Sequence, residues 1–315
     1  MTDMGALEHF LNVRVTRSCS HIQIDQSVYT QKVLDTFRVH LGTETKVRKC
    51  PRPSDTMDRI AKEPKECSEE DQRYVDNFPY RSMLGALLYL SMNTRPDIAY
   101  AVGLLSRFGS KVTCMLMVYL LQYIRGTVQM GIRFSGSRFD MHVFTDADWA
   151  GDVLTRPSTT GYVVFAAGGP LAWGSQLQAT VATSSMQSEY QGMYAGMQVT
   201  VWFRGVLSEI SLPLCEPTPF FLDSQSAEDL AMKPVYHERS KHIEIKYHWI
   251  REHVDPEGEH RTATLIQMKT ADQPADIFTK ALTGPVFESH RKKVLGQQRK
   301  ASASVTGDNR RKRPR

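Results

Sequence analysis

Apolar and polar positions along this chain change period several times, and each change marks an element. In "FLNVRVTRSCSHIQIDQSVYTQKVLDTF" the pattern predicts a short strand, a turn, a second strand through His21–Ile24 and a helix from about Ser27 to Phe37. Residues 40–80 contain "RKCPRPSDTMDRIAKEPKECSEEDQ", dense in charge and proline with little periodicity, which predicts a linker or an irregular excursion. Beyond it, "YRSMLGALLYLSMNTRPDIAYAVGLLSRF" returns to helical spacing at Met83/Leu84 and Leu87/Leu88, and Pro96 opens a second helix, where its missing N–H costs little.

From about Phe139 short strands take over. "DMHVFTD", "GYVVFAA" and "LAWGS" read as an antiparallel meander broken at Gly168-Gly169-Pro170, with "QATVATS" as a possible extension. Ser184 followed three residues later by Gln187 has the spacing of a capping box. Met186, Tyr190, Met193, Met197 and Val201 form the apolar stripe of a helix from about Ser185 to Ile210. "TPFFLD" is a strand ending at Asp223, "SQSAEDLAM" a short helix, "HIEIKYHWIREHV" another helix and "TATLIQMKT" a strand. Pro274 opens a last helix through Asp276, Ile277 and Leu282. The order βββαβαβα predicts an α/β fold, a mixed sheet with helices on its faces.

Length and composition narrow the class. A chain of 315 residues, 41% apolar, is expected to form two ordinary domains. There is no run of about 18 apolar residues, and "MTDMGALEHF" lacks a basic region followed by an apolar one. No membrane partner and no signal peptide are therefore expected, and an intracellular location is. The five dispersed cysteines fit neither a zinc site nor a disulfide framework. The formal charge is +5, yet residues 297–315 carry seven basic residues against Asp308, a net of +6, which leaves residues 1–296 near −1. Such a tail is expected to be disordered, and it mildly favours the nucleus over a cytoplasmic particle.

Four carboxylates fall at ends of elements: Asp146 closing a strand in "FTDADWAGD", Glu189 in the first turn of the long helix, Asp223 closing a strand, and Asp276 in the first turn of the last helix. Taken singly, each has an ordinary explanation as a turn residue or a partner of the helix macrodipole. Strand ends and helix starts are also where side chains converge outside a sheet, and four acids brought together need divalent cations to offset their repulsion. Oxygen ligands suit Mg²⁺ or Mn²⁺ better than zinc. Asp148 and Asp152 read as turn residues.

The segments "FTDADWAGD", "RPSTTGYVVFAAGGPLAWGS", "TVATSSMQSEY", "FLDSQSAEDLAMKPVYHERSKHIEIKYHWIRE" and "QPADIFTKAL" resemble, in order, the ribonuclease H domain of copia-type retrotransposon polyproteins. The upstream "FLNVRV", "YRSMLGALLYLSMNTRPDIAYAVGLLSRF" and "YIRGTVQMGIRFSG" are similar to the end of the reverse transcriptase thumb and the connection. The resemblance implies a mainly helical thumb and connection remnant over 1–138 and a ribonuclease H-like five-stranded mixed sheet flanked by helices over 139–283. The basic tail would fill 284–315.

By the same resemblance, the chain cleaves the RNA strand of RNA–DNA hybrids, as part of or derived from a retrotransposon polyprotein. Asp146, Glu189, Asp223 and Asp276 are then its catalytic metal ligands for two Mg²⁺ or Mn²⁺ ions about 4 Å apart. Asp146 would bridge both ions, Glu189 and Asp223 complete one shell, and Asp276 complete the other. The remainder of a reverse transcriptase is an implied partner. Arg239, Lys241 and His242 form a small cluster that would face the nucleic-acid backbone, although His242 reads first as structural.

Departures from the family pattern are "SSMQSEY" for the usual "SSTEAEY", Ser224 for an Asn, and "GSKVTCMLMVYLLQ" without the customary His-Trp. The polymerase's paired-Asp motif is expected outside these residues, so no polymerase activity is expected. A catalytically inactive or domesticated fragment that binds nucleic acid without turnover is the alternative reading.

Overall fold

The computed structural model describes residues 5–42, 46–63, 68–136, 139–151, 156–232, 241–258 and 261–297. The first half carries a four-stranded antiparallel sheet of β1 (His9–Phe10), β2 (Val13–Arg17), β3 (Ile22–Asp25) and β4 (Gly131–Phe134), paired in that order. Between β3 and β4 run α1 (Ser27–Thr36), α2 (Arg38–Leu41), α3 (Thr56–Ala61), α4 (Glu69–Asn77) and α5 (Tyr80–Asn93). A 3₁₀ turn (Pro96–Ile98), α6 (Ala99–Leu105) and α7 (Lys111–Arg125) complete the connection.

Part of the stretch expected to be irregular is helical. α4 forms because the Ser68 hydroxyl accepts the Asp71 N–H, and Glu69, Glu70 and Asp71 place negative charge in its first turn. Ile60 of α3 and Phe78 just after α4 are buried in the first core, so the segment is packed rather than looped out.

The second half is a five-stranded sheet in the order β7 (Gly169–Leu177), β6 (Thr159–Ala166), β5 (His142–Asp148), β8 (Thr218–Leu222), β9 (Ala263–Gln267). β5, β6 and β7 are antiparallel neighbours, while β8 runs parallel to both β5 and β9. The helices are α8 (Ser185–Glu209), α9 (Gln225–Met232), α10 (Lys241–Val254) and α11 (Gly284–Val294). This is the expected α/β architecture, a ribonuclease H-like mixed sheet with helices on its faces.

Three further sequence expectations fail. "QATVATS" pairs with no strand and runs irregularly into α8. The last helix through Leu282 is instead a five-residue 3₁₀ turn, Pro274–Phe278, opened by Gln273, whose side chain accepts the Ala275 N–H. Ordered structure also continues past 283, into α11, within the stretch expected to be a tail; residues 298–315 lie outside those described.

Side chains of β5 and β6 alternate between two cores, as the strand period requires. Val143 and Val164 face Tyr190, Met193 and Met197 of α8. Phe144, Val163 and Phe165 face the other way, into one cluster with Leu87, Leu105, Leu120 and Ile124 of the first half. Trp173 Nε1 donates to the Ser91 carbonyl at 2.8 Å, and α11 adds Phe287 and Val294 to the same cluster. The helices of the first half therefore cover one face of the second half's sheet. Fully burying each large apolar side chain there contributes about 1.5–3 kcal/mol.

Candidate active site

α8 delivers Glu189 to the sheet because two glycines let it lie close to β5. A Cβ on Gly192 would sit 3.3 Å from the Asp146 carbonyl oxygen, and one on Gly196 would sit 2.5 Å from Thr145 Cγ2. The helix start is fixed by Ser184, whose hydroxyl accepts the Gln187 N–H at 3.2 Å, while the Gln187 side chain reaches back to the Thr183 N–H at 2.7 Å. Glu189 therefore arrives beside β5 in the second turn of the helix, not in the first as expected, because the helix already starts at Ser185.

Asp146 lies on β5 two residues before the strand's end, 1% exposed, and Asp223 follows directly on β8. These strands are parallel, so both acids leave the sheet at the same end, next to the β6–β5 boundary where strand direction reverses. One carboxylate oxygen from each of Asp146, Glu189 and Asp223 lies within 4.8 Å of the other two. An all-oxygen donor set of this kind suits a hard divalent cation.

The expected fourth ligand, Asp276, does not belong to that group of three; it is tied to Asp146 through a lysine. Its carboxylate accepts from Lys280 Nζ at 2.8 Å, and the same ammonium lies 3.2 Å from Asp146 Oδ1. Thr279 donates its hydroxyl to Asp146 Oδ2. Sequence reasoning missed both Thr279 and Lys280, although the four-residue spacing from Asp276 to Lys280 in "ADIFTKAL" was a readable signal. The 3₁₀ turn fits against β6 because residue 161 has no side chain: a Cβ there would be 2.7 Å from Thr279 Cγ2 and 2.9 Å from Phe278 Cβ.

The electrostatics follow from crowding. Burial, then the charges of Asp146 and Asp223, push the Glu189 carboxyl up to about 9. Burial also raises Asp146, with Lys280 opposing and Asp276 adding to the rise. Asp276 is raised by burial against the pull of Lys280. Asp148, the last residue of β5, is raised by burial and by Asp146. Burial works against the Lys280 ammonium, but Asp146 and Asp276 outweigh it and hold the proton more firmly than on a free lysine.

Of the residues assigned to the nucleic-acid backbone, Arg239 lies outside the described residues. Lys241 and His242 open α10, but their side chains are outside the described ones. Trp149 is half exposed beyond β5, its indole N–H donating to the Ala182 carbonyl at 3.2 Å, whereas Trp173 is tied into the core.

No family model matches the chain. It is 33% identical over 293 residues to the retrovirus-related Pol polyprotein from transposon TNT 1-94 of Nicotiana tabacum, an alignment covering 91% of this chain and 21% of that protein. It is 32% identical over 296 residues to the corresponding polyprotein from transposon RE1 of Arabidopsis thaliana, covering 93% and 19%. The chain thus spans about a fifth of the length of these relatives. Among solved structures, a ribonuclease H1 isolated from compost is 16% identical with a TM-score of 0.33, covering 44% of this chain and 92% of that one. The fold assignment rests on the strand order and directions given above.

Proposed function

Because this chain belongs to the copia-type retrovirus-related Pol polyproteins, we propose that it hydrolyses the RNA strand of RNA–DNA hybrids at the carboxylate cluster. The observation that carries the reading is the convergence of Asp146, Glu189 and Asp223, from three separate elements, at one end of a mixed sheet.

In this reading Asp146, Glu189 and Asp223 hold a divalent cation, Mg²⁺ or Mn²⁺. When bound, the cation supplies Lewis acidity toward the scissile phosphate and a more acidic water. Glu189, whose carboxyl burial and the neighbouring acids push up to about 9, would have to give up its proton to hold the cation, so loading would be favoured at higher pH. Thr279 fixes the rotamer of Asp146 through its hydroxyl. Asp276 holds the Lys280 ammonium against the site.

The products are a 5′-phosphate and a 3′-hydroxyl. Selection of a hybrid rests on minor-groove shape and on 2′-hydroxyl contacts. The exposed Trp149 offers an aromatic face beside the site for the nucleic acid.

The test incubates the purified chain with an end-labelled RNA–DNA hybrid and Mg²⁺, alongside Asp146→Asn. Cleavage by the parent and none by the variant is the expected result. No metal-dependent cleavage by the parent would sink the proposal, and binding of the hybrid without cleavage would move it to the non-catalytic reading. Cleavage that survives the substitution would place the chemistry elsewhere.

A further inference from the structure

We propose that the Lys280 ammonium is the second positive charge of this site, so that the cluster takes one divalent cation, at Asp146, Glu189 and Asp223, rather than two. The role of that charge in phosphodiester hydrolysis rests on the ribonuclease reading; the number of cations does not.

Three observations carry the inference. First, the atom lying between Asp146 and Asp276 is Lys280 Nζ, 3.2 Å from one carboxylate and 2.8 Å from the other. A cation bridging those two acids needs the place the ammonium holds. Each oxygen of Asp146 already accepts one bond from the Thr279-Lys280 pair, which leaves one acceptor direction on each for a cation shared with Glu189 and Asp223.

Second, the backbone of Lys280 is fixed beside the site, and the two carboxylates hold its ammonium there. Its backbone N–H donates to the Asp276 carbonyl at 2.9 Å, and the turn it leaves, Pro274–Phe278, is buried throughout. Its side chain is about one-third exposed, so the residue borders the solvent from which a phosphate arrives.

Third, the charges fit one ion. Asp146, Glu189, Asp223 and Asp276 together offer four negative charges. Lys280 and one dication supply three positive ones, leaving the cluster slightly negative before substrate binds. A second dication beside a retained ammonium would reverse that sign and set two cations against each other at contact distance. During hydrolysis the ammonium, a donor with hydrogens to share, contacts a phosphate oxygen and offsets the charge that develops there.

The experiment counts ions directly. Mn²⁺ is titrated into the full chain by isothermal calorimetry, and the loaded protein is examined by electron paramagnetic resonance, for the parent, Lys280→Met and Lys280→Arg. The parent should bind one Mn²⁺ with an isolated-ion spectrum. Lys280→Met should bind two with a spin-coupled spectrum, and Lys280→Arg should stay at one.

Two coupled ions in the parent, no ion in the parent, or a count of one in a Lys280→Met variant whose circular dichroism matches the parent would each overturn the proposal. If Lys280→Met does not fold, the parent's count and spectrum decide alone. Failure of the ribonuclease reading appears separately, as a parent that binds one Mn²⁺ and leaves an RNA–DNA hybrid intact.

Discussion

Replacing Glu189 with glutamine should stabilise the metal-free protein at neutral pH. In the unfolded chain this carboxyl titrates near its ordinary 4.5, while in the fold it is pushed up to about 9. Between those values the folded state holds a proton the unfolded state has lost, so stability falls as pH rises, by about 1.4 kcal/mol for each pH step. By pH 7 the loss is about 3 kcal/mol for a fully shielded group, and the partial solvent access of Glu189 reduces it to about 2 kcal/mol.

The neutral amide of Glu189→Gln would carry no such penalty and keep a similar shape. In EDTA at pH 7, thermal denaturation should therefore show the variant melting higher, by about 3 °C for a chain of this size. Mg²⁺ should raise the midpoint of the parent and leave that of the variant nearly unchanged, because the ion stabilises only the protein that binds it. A variant that melts below the parent in EDTA, or a parent whose stability is flat between pH 5 and pH 8, would refute the account of the site as a set of mutually repelling acids.

Elsewhere, Arg95 forms a two-pronged salt bridge with Asp97 at 2.9 and 2.8 Å, joined by the Tyr123 hydroxyl and by Thr127, with both charged side chains almost fully buried. Asp97→Ala strands that guanidinium and should cost about 3–5 kcal/mol in urea denaturation, and a loss below 1 kcal/mol would show that water reaches the pair. Gly161→Ala drives a methyl into the turn that carries Thr279 and Lys280. It should cost about 1–3 kcal/mol and weaken Mn²⁺ binding measured by calorimetry, whereas unchanged affinity would uncouple that turn from the site. His290, buried in α11, is pushed down to about 4 by burial and by Lys293. The unfolded chain takes up its proton first as pH drops from 6.5 toward 4, so that window should remove up to about 3 kcal/mol of stability; His290→Phe should flatten the slope in chemical denaturation at pH 4.5 and 7, and an equal slope would discount the histidine.

The strands and helices around the site were legible because their apolar positions hold a period, as in the stripe Met186, Tyr190, Met193, Met197 that fixes α8. The three convergent acids were legible as lying near ends of elements, although only Asp223 sits at one: Asp146 lies two residues inside β5 and Glu189 a turn into α8. What sequence could not show was the partner of the sheet's other face. Val163 and Phe165 would read the same against any apolar surface, and only the tertiary structure places α5, α6 and α7 there. Lys280 was overlooked although its four-residue spacing from Asp276 was readable, because nothing in the sequence shows that its ammonium also reaches Asp146, which lies 134 residues away. α11 escaped because "GPVFESHRKKV" is so rich in charge that it blends into the basic residues that follow.

That last helix changes what counts as a separable piece of this molecule. After passing the carboxylate cluster, the chain returns to its first half, at α7 and β4: the Leu295 carbonyl accepts the Arg133 N–H at 2.9 Å, and Arg291 reaches the Tyr123 hydroxyl at 3.5 Å. The chain's order thus acts as a clasp in which late residues close over early ones. Excising residues 139–283 would bare the Phe144, Val163 and Phe165 face and open the clasp at both ends, inviting aggregation rather than yielding a minimal nuclease. For the same reason the described residues should melt in one cooperative transition, with the acidic site and the helices far from it surrendering together.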